Sequence, residues 1–148
     1  MAWNRGYALI ETLLASAILV SGIVGVASVF TVTTGVSIRN QQRTVATLLL
    51  YDKMEQLRST PIGDAAWMAG GALKPGSPAA GYFDYVTITT DAIVISSTTD
   101  TTFPYMRMWQ IAGAEPRSLT VIVYVQRAGL TRRRLELIRA TTLVSGTF

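Results

Sequence analysis

The sequence predicts an α+β fold in which one long amino-terminal helix packs on a small carboxy-terminal antiparallel β-sheet. Three observations predict it: a run without charged residues from Thr12 through Ile38, a Gly- and Pro-rich segment over residues 59–81, and later segments rich in Val, Ile, Thr and Tyr. A chain of 148 residues has room for one ordinary domain, or for a small domain with an appended helix.

The composition restricts the chemistry that the chain can perform. It contains no histidine and no cysteine, which excludes histidine bases, cysteine nucleophiles, disulfides and nearly all zinc, copper and iron–sulfur ligand sets. Asp84, Asp91 and Asp100 lack the spacing of a calcium-binding loop, and we interpret them as solvated loop acids. We therefore expect no enzyme activity, no metal site and no cofactor.

The apolar run that begins at Thr12 predicts a membrane-spanning helix. A hydrocarbon core about 30 Å thick requires roughly 20 residues at about 1.5 Å each, and the run exceeds that length. The alternatives are a buried core helix and a cleaved secretory signal. Ala15-Ser16-Ala17 resembles a signal cleavage site, but a signal peptide has an apolar region of only about 7–15 residues. We predict a helix over residues 7–58, with its transmembrane part over about residues 7–30.

Glu11 lies within this apolar region, because Tyr7-Ala8-Leu9-Ile10 precede it and Thr12-Leu13-Leu14 follow it. A carboxylate at the centre of a membrane helix costs on the order of 2.5–3.5 kcal/mol, and less near the interface. An acidic residue in a membrane segment therefore indicates a function. The alternative is an interfacial residue that marks where the helix leaves the membrane.

The helix is predicted to continue beyond the membrane. Apolar residues with helical spacing form one face: Ala46, Leu50, Met54 and Leu57. Polar residues of the same segment are predicted to face elsewhere: Arg43, Thr47, Lys53 and Glu55. Ser59-Thr60-Pro61 predicts the end of the helix, because proline cannot continue a helix and disfavours helical geometry in the residue before it.

Five segments after the loop predict β-strands: residues 82–90, 92–96, 105–112, 119–126 and 134–144. In the third segment, Arg107 and Trp109 alternate with Met106 and Met108, a pattern typical of a half-buried strand. We expect Trp67, Trp109, Met106 and Met108 to lie in the core or in subunit contacts.

Basic residues concentrate in the distal part of the chain, and four arginines follow the fourth predicted strand, the last of them at the start of the fifth: Arg127, Arg132, Arg133 and Arg134. One interpretation is a contact patch for nucleic acid or another acidic surface. The other is a solvated hairpin tip, which the scarcity of neighbouring aromatic residues for base stacking favours.

The segment from Gly6 through Leu19, Gly-Tyr-Ala-Leu-Ile-Glu-Thr-Leu-Leu-Ala-Ser-Ala-Ile-Leu, resembles the prepilin signature of type IV pilins and type II secretion pseudopilins. In that family a short basic leader ends in Gly, a hydrophobic residue follows, and a Glu stands five residues after the Gly at the head of an apolar helix. The resemblance implies the pilin fold, with a leader over residues 1–6, the long helix, a connecting loop over residues 59–81 and a sheet domain over residues 82–148.

The resemblance also implies a mode of assembly. A prepilin peptidase would cleave between Gly6 and Tyr7, the new amino group of Tyr7 would be methylated, and Glu11 would pair with the terminal amine of an adjacent subunit. The implied partners are other pilin or pseudopilin subunits, the peptidase, an inner-membrane assembly platform and membrane lipid. The chain would be a single-pass inner-membrane protein with a periplasmic sheet domain, and later part of an extracellular or periplasmic filament.

Several functions remain compatible with these residues. The leading one is a minor pilin, since no proline interrupts the predicted helix and Met54-Glu55-Gln56-Leu57-Arg58 resembles the helix end of minor pilins of the PilV type. A type II secretion pseudopilin shares the same signature. A membrane-tethered binding domain that never polymerises and a DNA-uptake pilin are further alternatives. A tethered enzyme is the weakest, because no nucleophile and base pair is recognisable.

Overall fold

The long helix α1 runs from Asn4 to Arg58 in the computed structural model, which describes residues 4–61, 63–90, 92–97, 103–126 and 134–145. It begins slightly before the predicted start at Tyr7 and ends at the predicted residue. After the last helical turn, the Thr60 N–H donates to the Leu57 carbonyl at 3.1 Å, the tighter spacing that often closes a helix. Pro61 then prevents continuation.

The chain divides into two compact units, Met1–Asn40 and Gln41–Phe148, and α1 contributes to both. In the first unit, the described side chains from Tyr7 to Asn40 are all exposed. The second unit contains the last part of α1, a short 3₁₀ turn at Ala65–Trp67 and the strands.

The described strands of the second unit form one antiparallel sheet. They are β1 (Phe83–Ile88), β2 (Ile93–Ser96), β3 (Tyr105–Ala112), β4 (Arg117–Gln126) and β5 (Arg134–Val144). Their order across the sheet is β2-β1-β3-β4-β5, and every neighbouring pair is antiparallel. The α+β prediction is confirmed: a long amino-terminal helix packs on a five-stranded antiparallel sheet, a layout like that of pilins.

One face of the sheet packs against the last part of α1. Ala46, Leu50 and Leu57 are buried there, as their helical spacing predicts, and Met54 packs against the same cluster. Trp109 contributes from β3 on the sheet side. The apolar stripe of the helix is thus the surface that holds it to the sheet.

Charged residues are also buried against this face. Lys53 is 8% exposed, so the prediction that it faces away from the core is wrong. Asp84 lies in β1 and is 5% exposed, so its interpretation as a solvated loop acid is also wrong. Both groups tolerate burial because Lys53 pairs with Asp84, and Asp84 also pairs with Arg107.

The opposite face of the sheet is buried as well, so the interpretation of β3 as a half-buried strand is wrong. Its cluster consists of Tyr85, Met106, Met108, Ile122 and Tyr124. Leu73 packs on this cluster from the loop before β1, and the Tyr124 hydroxyl donates to the Leu73 carbonyl at 3.3 Å. Gly71, with a φ of 96°, lets that loop pass the backbone of β3 where a side chain would collide with the Trp109 carbonyl. The expected core residues Trp67, Trp109, Met106 and Met108 are all buried.

Candidate functional site

The predicted cleavage junction lies near the beginning of α1. Gly6 and Tyr7 are both in helical backbone, and the Tyr7 side chain is 81% exposed. Glu11 is exposed and stands one turn after Tyr7, so the two residues share a face of the helix. No ion pair among the described residues includes Glu11. A cation for this carboxylate would therefore come from outside the described part of the chain.

A continuous apolar surface follows Glu11. The large hydrophobic side chains from Leu13 to Ile38 are between 49% and 68% exposed. The helix is long and apolar enough to cross a membrane, and none of its most apolar window is buried within the chain. A signal sequence near an amino terminus meets the same criteria of length and composition. The surface requires an apolar environment that the described residues do not supply.

Most hydroxyl groups on this apolar surface form hydrogen bonds within the helix. Each of these hydroxyls donates to a backbone carbonyl three or four residues earlier, at 2.7–3.1 Å. The donors are Thr12, Ser16, Ser21, Ser28, Thr31, Thr33 and Thr34. Such bonds let these residues enter lipid or a helix interface without an unpaired polar group. Glu11 cannot use this device, because an ionised carboxylate only accepts hydrogen bonds.

A shallow apolar groove runs along one side of the same segment. It is lined by Ile18, Leu19, Gly22, Ile23, Val26, Ala27 and Phe30. The groove forms where Gly22 and Ala27 carry little or no side chain, and no other group lies within 4 Å of the Cβ position of Gly22. Small residues at such a position allow a second helix to approach closely.

A second candidate site is a cluster of charged groups between the last part of α1 and the sheet. At its centre the fully buried Arg107 of β3 donates from Nε and Nη2 to the two carboxylate oxygens of Asp84, at 2.8 and 2.9 Å. The Nη1 atom of Arg107 donates to Asp52 Oδ2 at 2.7 Å and to the Leu49 carbonyl at 3.2 Å. One guanidinium thus connects β1, β3 and α1.

Lys53 completes this ion cluster, which we define as Asp52, Lys53, Asp84 and Arg107. The Lys53 Nζ lies 3.5 Å from Asp84 Oδ2 and donates to Gln56 Oε1 at 3.1 Å. It also lies 3.8 Å from the centroid of the Trp109 ring, a cation–π contact. Among the described residues, every buried side-chain nitrogen and oxygen has a hydrogen-bond partner. Two cations and two carboxylates balance the charge.

The ion cluster shifts the pKa values of Lys53 and Arg107 in opposite directions. Burial lowers the pKa of Lys53 below its ordinary value of 10.5, and the attraction of Asp84 offsets only part of that effect. Burial also acts to lower the pKa of Arg107, but its hydrogen bonds and charge interactions with Asp84 and Asp52 outweigh burial and raise the pKa. Arg107 is a permanent charge, whereas Lys53 is the member that can lose a proton.

Replacing Lys53 with methionine is expected to remove a pH-dependent part of the stability. Because folding lowers the pKa of Lys53, the unfolded chain binds more protons than the folded chain between the folded pKa and 10.5. The contribution of Lys53 to the free energy of unfolding therefore increases with pH across that window. Denaturant unfolding of the detergent-solubilised full chain, from about pH 7 to just below pH 10, should give a flatter profile for Lys53→Met than for the wild type.

The exposed Lys74 supplies the control, since Lys74→Met should keep the wild-type profile. The measurement stops just below pH 10 because two tyrosines titrate above it. Burial raises the pKa of Tyr105 and of Tyr124 above 10.0, so their contributions to the free energy of unfolding decrease as the pH rises further. A Lys53→Met profile as steep as that of Lys74→Met would contradict the assignment of this pH dependence to Lys53.

The predicted basic contact patch is only partly described. Arg127, Arg132 and Arg133 lie outside the described residues, as do Asp91 and Asp100. Arg134 begins β5, where its guanidinium donates to the Pro75 carbonyl at 2.6 Å and to the Tyr85 hydroxyl at 2.9 Å. Arg134 thereby fastens the loop before β1 to the sheet. Within the described ranges, no group of three or more acidic side chains is placed to hold a metal ion.

Comparisons with protein-family models, with curated proteins and with solved structures find no match to this chain. Its function is therefore inferred from its own residues and their geometry.

The sequence did not predict the ion cluster. Its members come from separate segments, so no local spacing connects Asp52 and Lys53 with Asp84 and Arg107. One signal was present: Arg107 shares its face of β3 with Tyr105 and Trp109, and a charge between two aromatic residues on one face requires a partner if that face is buried.

Proposed function

We propose that this chain is a structural subunit of a type IV pilus or a related filament, a minor pilin that acts in filament assembly after its leader is removed. The observation that carries the proposal is the division of α1. Its first part exposes an apolar surface that contains one carboxylate, and its last part packs on an antiparallel sheet. Such a helix can anchor in a membrane or a helix bundle at one end while a folded domain stays in water at the other.

Glu11 supports the proposal because its carboxylate is costly in apolar surroundings unless a cation meets it. Cleavage between Gly6 and Tyr7 would create a positively charged amine on Tyr7. In a filament, the Glu11 carboxylate of one copy would pair with the Tyr7 amine of the next, so two groups that lipid penalises become tolerable together. The pairing would also fix the register between neighbouring helices.

In this proposal the chain is first a single-pass inner-membrane precursor, with about residues 7–30 in the bilayer and the sheet domain in the periplasm. A prepilin peptidase removes residues 1–6 and the Tyr7 amine is methylated. An inner-membrane assembly platform then adds the mature chain to other pilin subunits. A type II secretion pseudopilin would follow the same steps, but its filament would stay within the periplasm. Recovery of the chain in filaments sheared from the cell surface would therefore distinguish a pilus subunit from a pseudopilin.

The Gly6→Val variant is expected to retain its leader. A branched side chain at this position would prevent the close backbone approach to the peptidase that glycine permits. Intact-mass spectrometry of the full chain, extracted from membranes of cells that express a prepilin peptidase, measures the outcome. The wild type should have lost residues 1–6, whereas Gly6→Val should keep them.

Gly22→Val is the matched control, because Gly22 lies in the same helix with open space at its Cβ position and away from the junction. It should be processed as the wild type is. If Gly6→Val were processed as completely as Gly22→Val, the proposed cleavage junction would be wrong.

A further inference from the structure

The charges that follow the apolar run of α1 are all of one sign. From Thr12 through Tyr51 the sequence contains no acidic residue, and its only charged residues are Arg39 and Arg43. Arg39 comes directly after Ile38, the last residue of the charge-free run. The helix therefore presents a positive charge where its apolar surface ends.

The Arg39 side chain is exposed, and no ion pair among the described residues includes it. A guanidinium carries five N–H donors in a planar fork, and this fork fits two oxygens of a phosphate or a carboxylate. An anion that pairs with Arg39 would therefore come from outside the described part of the chain.

The residues before Arg39 place it close to a membrane surface. Val36 and Ile38 are 49% and 51% exposed, so the helix surface stays apolar up to the residue before Arg39. If the hydrocarbon ends near residue 30, Arg39 lies about 13 Å further along the helix, and the headgroup region is about 5–7 Å thick. Side chains on an α-helix lean toward its amino terminus, which here is toward the bilayer, and a long arginine side chain extends its charge to the polar boundary. The guanidinium can thus reach the lipid headgroups.

We propose that Arg39 binds the phosphate of an anionic phospholipid in the leaflet from which α1 leaves the bilayer. Charge complementarity favours an anionic lipid, because the ammonium group of a zwitterionic lipid such as phosphatidylcholine already neutralises its own phosphate. The bound phosphate would fix how far α1 rises out of the bilayer. This inference rests on the membrane anchoring in the proposed function, but it requires neither leader removal nor Glu11.

A single introduced cysteine can carry a reporter beside this site, since the chain has no cysteine of its own. Val32 is 67% exposed and lies seven residues before Arg39, two turns away on the same face of α1. Full-length Val32→Cys is labelled with an apolar fluorophore and reconstituted at high dilution in phosphatidylcholine vesicles. Quenching by phosphatidylglycerol or by phosphatidylcholine with brominated acyl chains then gives the binding constant of the first lipid relative to the second.

We expect phosphatidylglycerol to be preferred by about fivefold, the ratio that corresponds to about 1 kcal/mol for one basic residue near an anionic membrane. Arg39→Gln, added to Val32→Cys, should remove this preference. Lys74→Gln is the matched control, because it removes the same charge from an exposed residue in the loop before β1. It should keep the preference.

Equal quenching by the two lipids would overturn the proposal, as would a preference that Arg39→Gln leaves unchanged. An equal loss in Arg39→Gln and Lys74→Gln would also overturn it, since the preference would then follow net charge. Flotation of the same vesicles on a density gradient reports membrane anchoring separately. A chain that does not float with the vesicles would contradict the proposed anchoring, whereas a chain that floats without a lipid preference would contradict only the phosphate site.

Discussion

Replacing Arg107 with alanine is expected to lower the free energy of unfolding by about 3–5 kcal/mol, because the change removes one partner from a buried ion pair. Arg107 is completely buried and binds both oxygens of Asp84 as well as Asp52. Without it, the buried Asp84 would keep only Lys53, at 3.5 Å. Denaturant unfolding of the detergent-solubilised full chain, followed by tryptophan fluorescence, measures the loss.

Arg139 provides the control, since it makes a similarly short pair with Glu136, 3.0 Å between Nη2 and Oε2, but on the surface. Their side chains are 51% and 39% exposed, and exposed pairs contribute little to stability because water and salt screen the charges. Arg139→Ala should therefore change stability little. A loss in Arg107→Ala no larger than in Arg139→Ala would mean that the ion cluster does not fasten α1 to the sheet.

Replacing Glu11 with alanine is expected to reduce incorporation into filaments by at least about tenfold, while leader removal continues. Loss of one partner from a buried charge pair costs about 3–5 kcal/mol, and roughly 1.4 kcal/mol already corresponds to tenfold. The measurement is the amount of chain in sheared filaments relative to the membrane pool, by quantitative mass spectrometry.

Glu55→Ala is the matched variant, because Glu55 is an exposed glutamate in the part of the same helix that packs on the sheet. It should enter filaments nearly as well as the wild type. If Glu11→Ala entered equally well, the terminal amine would need no carboxylate in this filament. If neither the wild type nor Glu55→Ala entered filaments, a membrane-tethered binding domain that does not polymerise would be the better account.

The course of α1 could be predicted because local signals determine it. Its end at Arg58 follows from Pro61, and its packing face follows from the spacing of Ala46, Leu50 and Leu57. The bounds of β3 were predictable for the same reason, since alternation and β-propensity are properties of neighbouring residues.

The burial of both sheet faces could not be predicted, because it depends on contacts between distant parts of the chain. Leu73 packs on the cluster around Met108 only once the loop before β1 crosses the sheet. From its helical position, Lys53 was predicted to be a polar residue on the outer side of an amphipathic helix. Only the strand order brings Asp84 and Arg107 close to it. Tertiary pairing outweighs the local preference of such residues for water.

The central claim is that this chain is a processed filament subunit, and the amino-terminal peptide of the wild-type protein tests it most directly. The peptide would be sequenced by mass spectrometry from the membrane fraction and from filaments sheared from the same cells. We predict that in both fractions the mature chain begins at a methylated Tyr7. A chain that keeps residues 1–6, or that begins at any residue other than Tyr7, would contradict the claim.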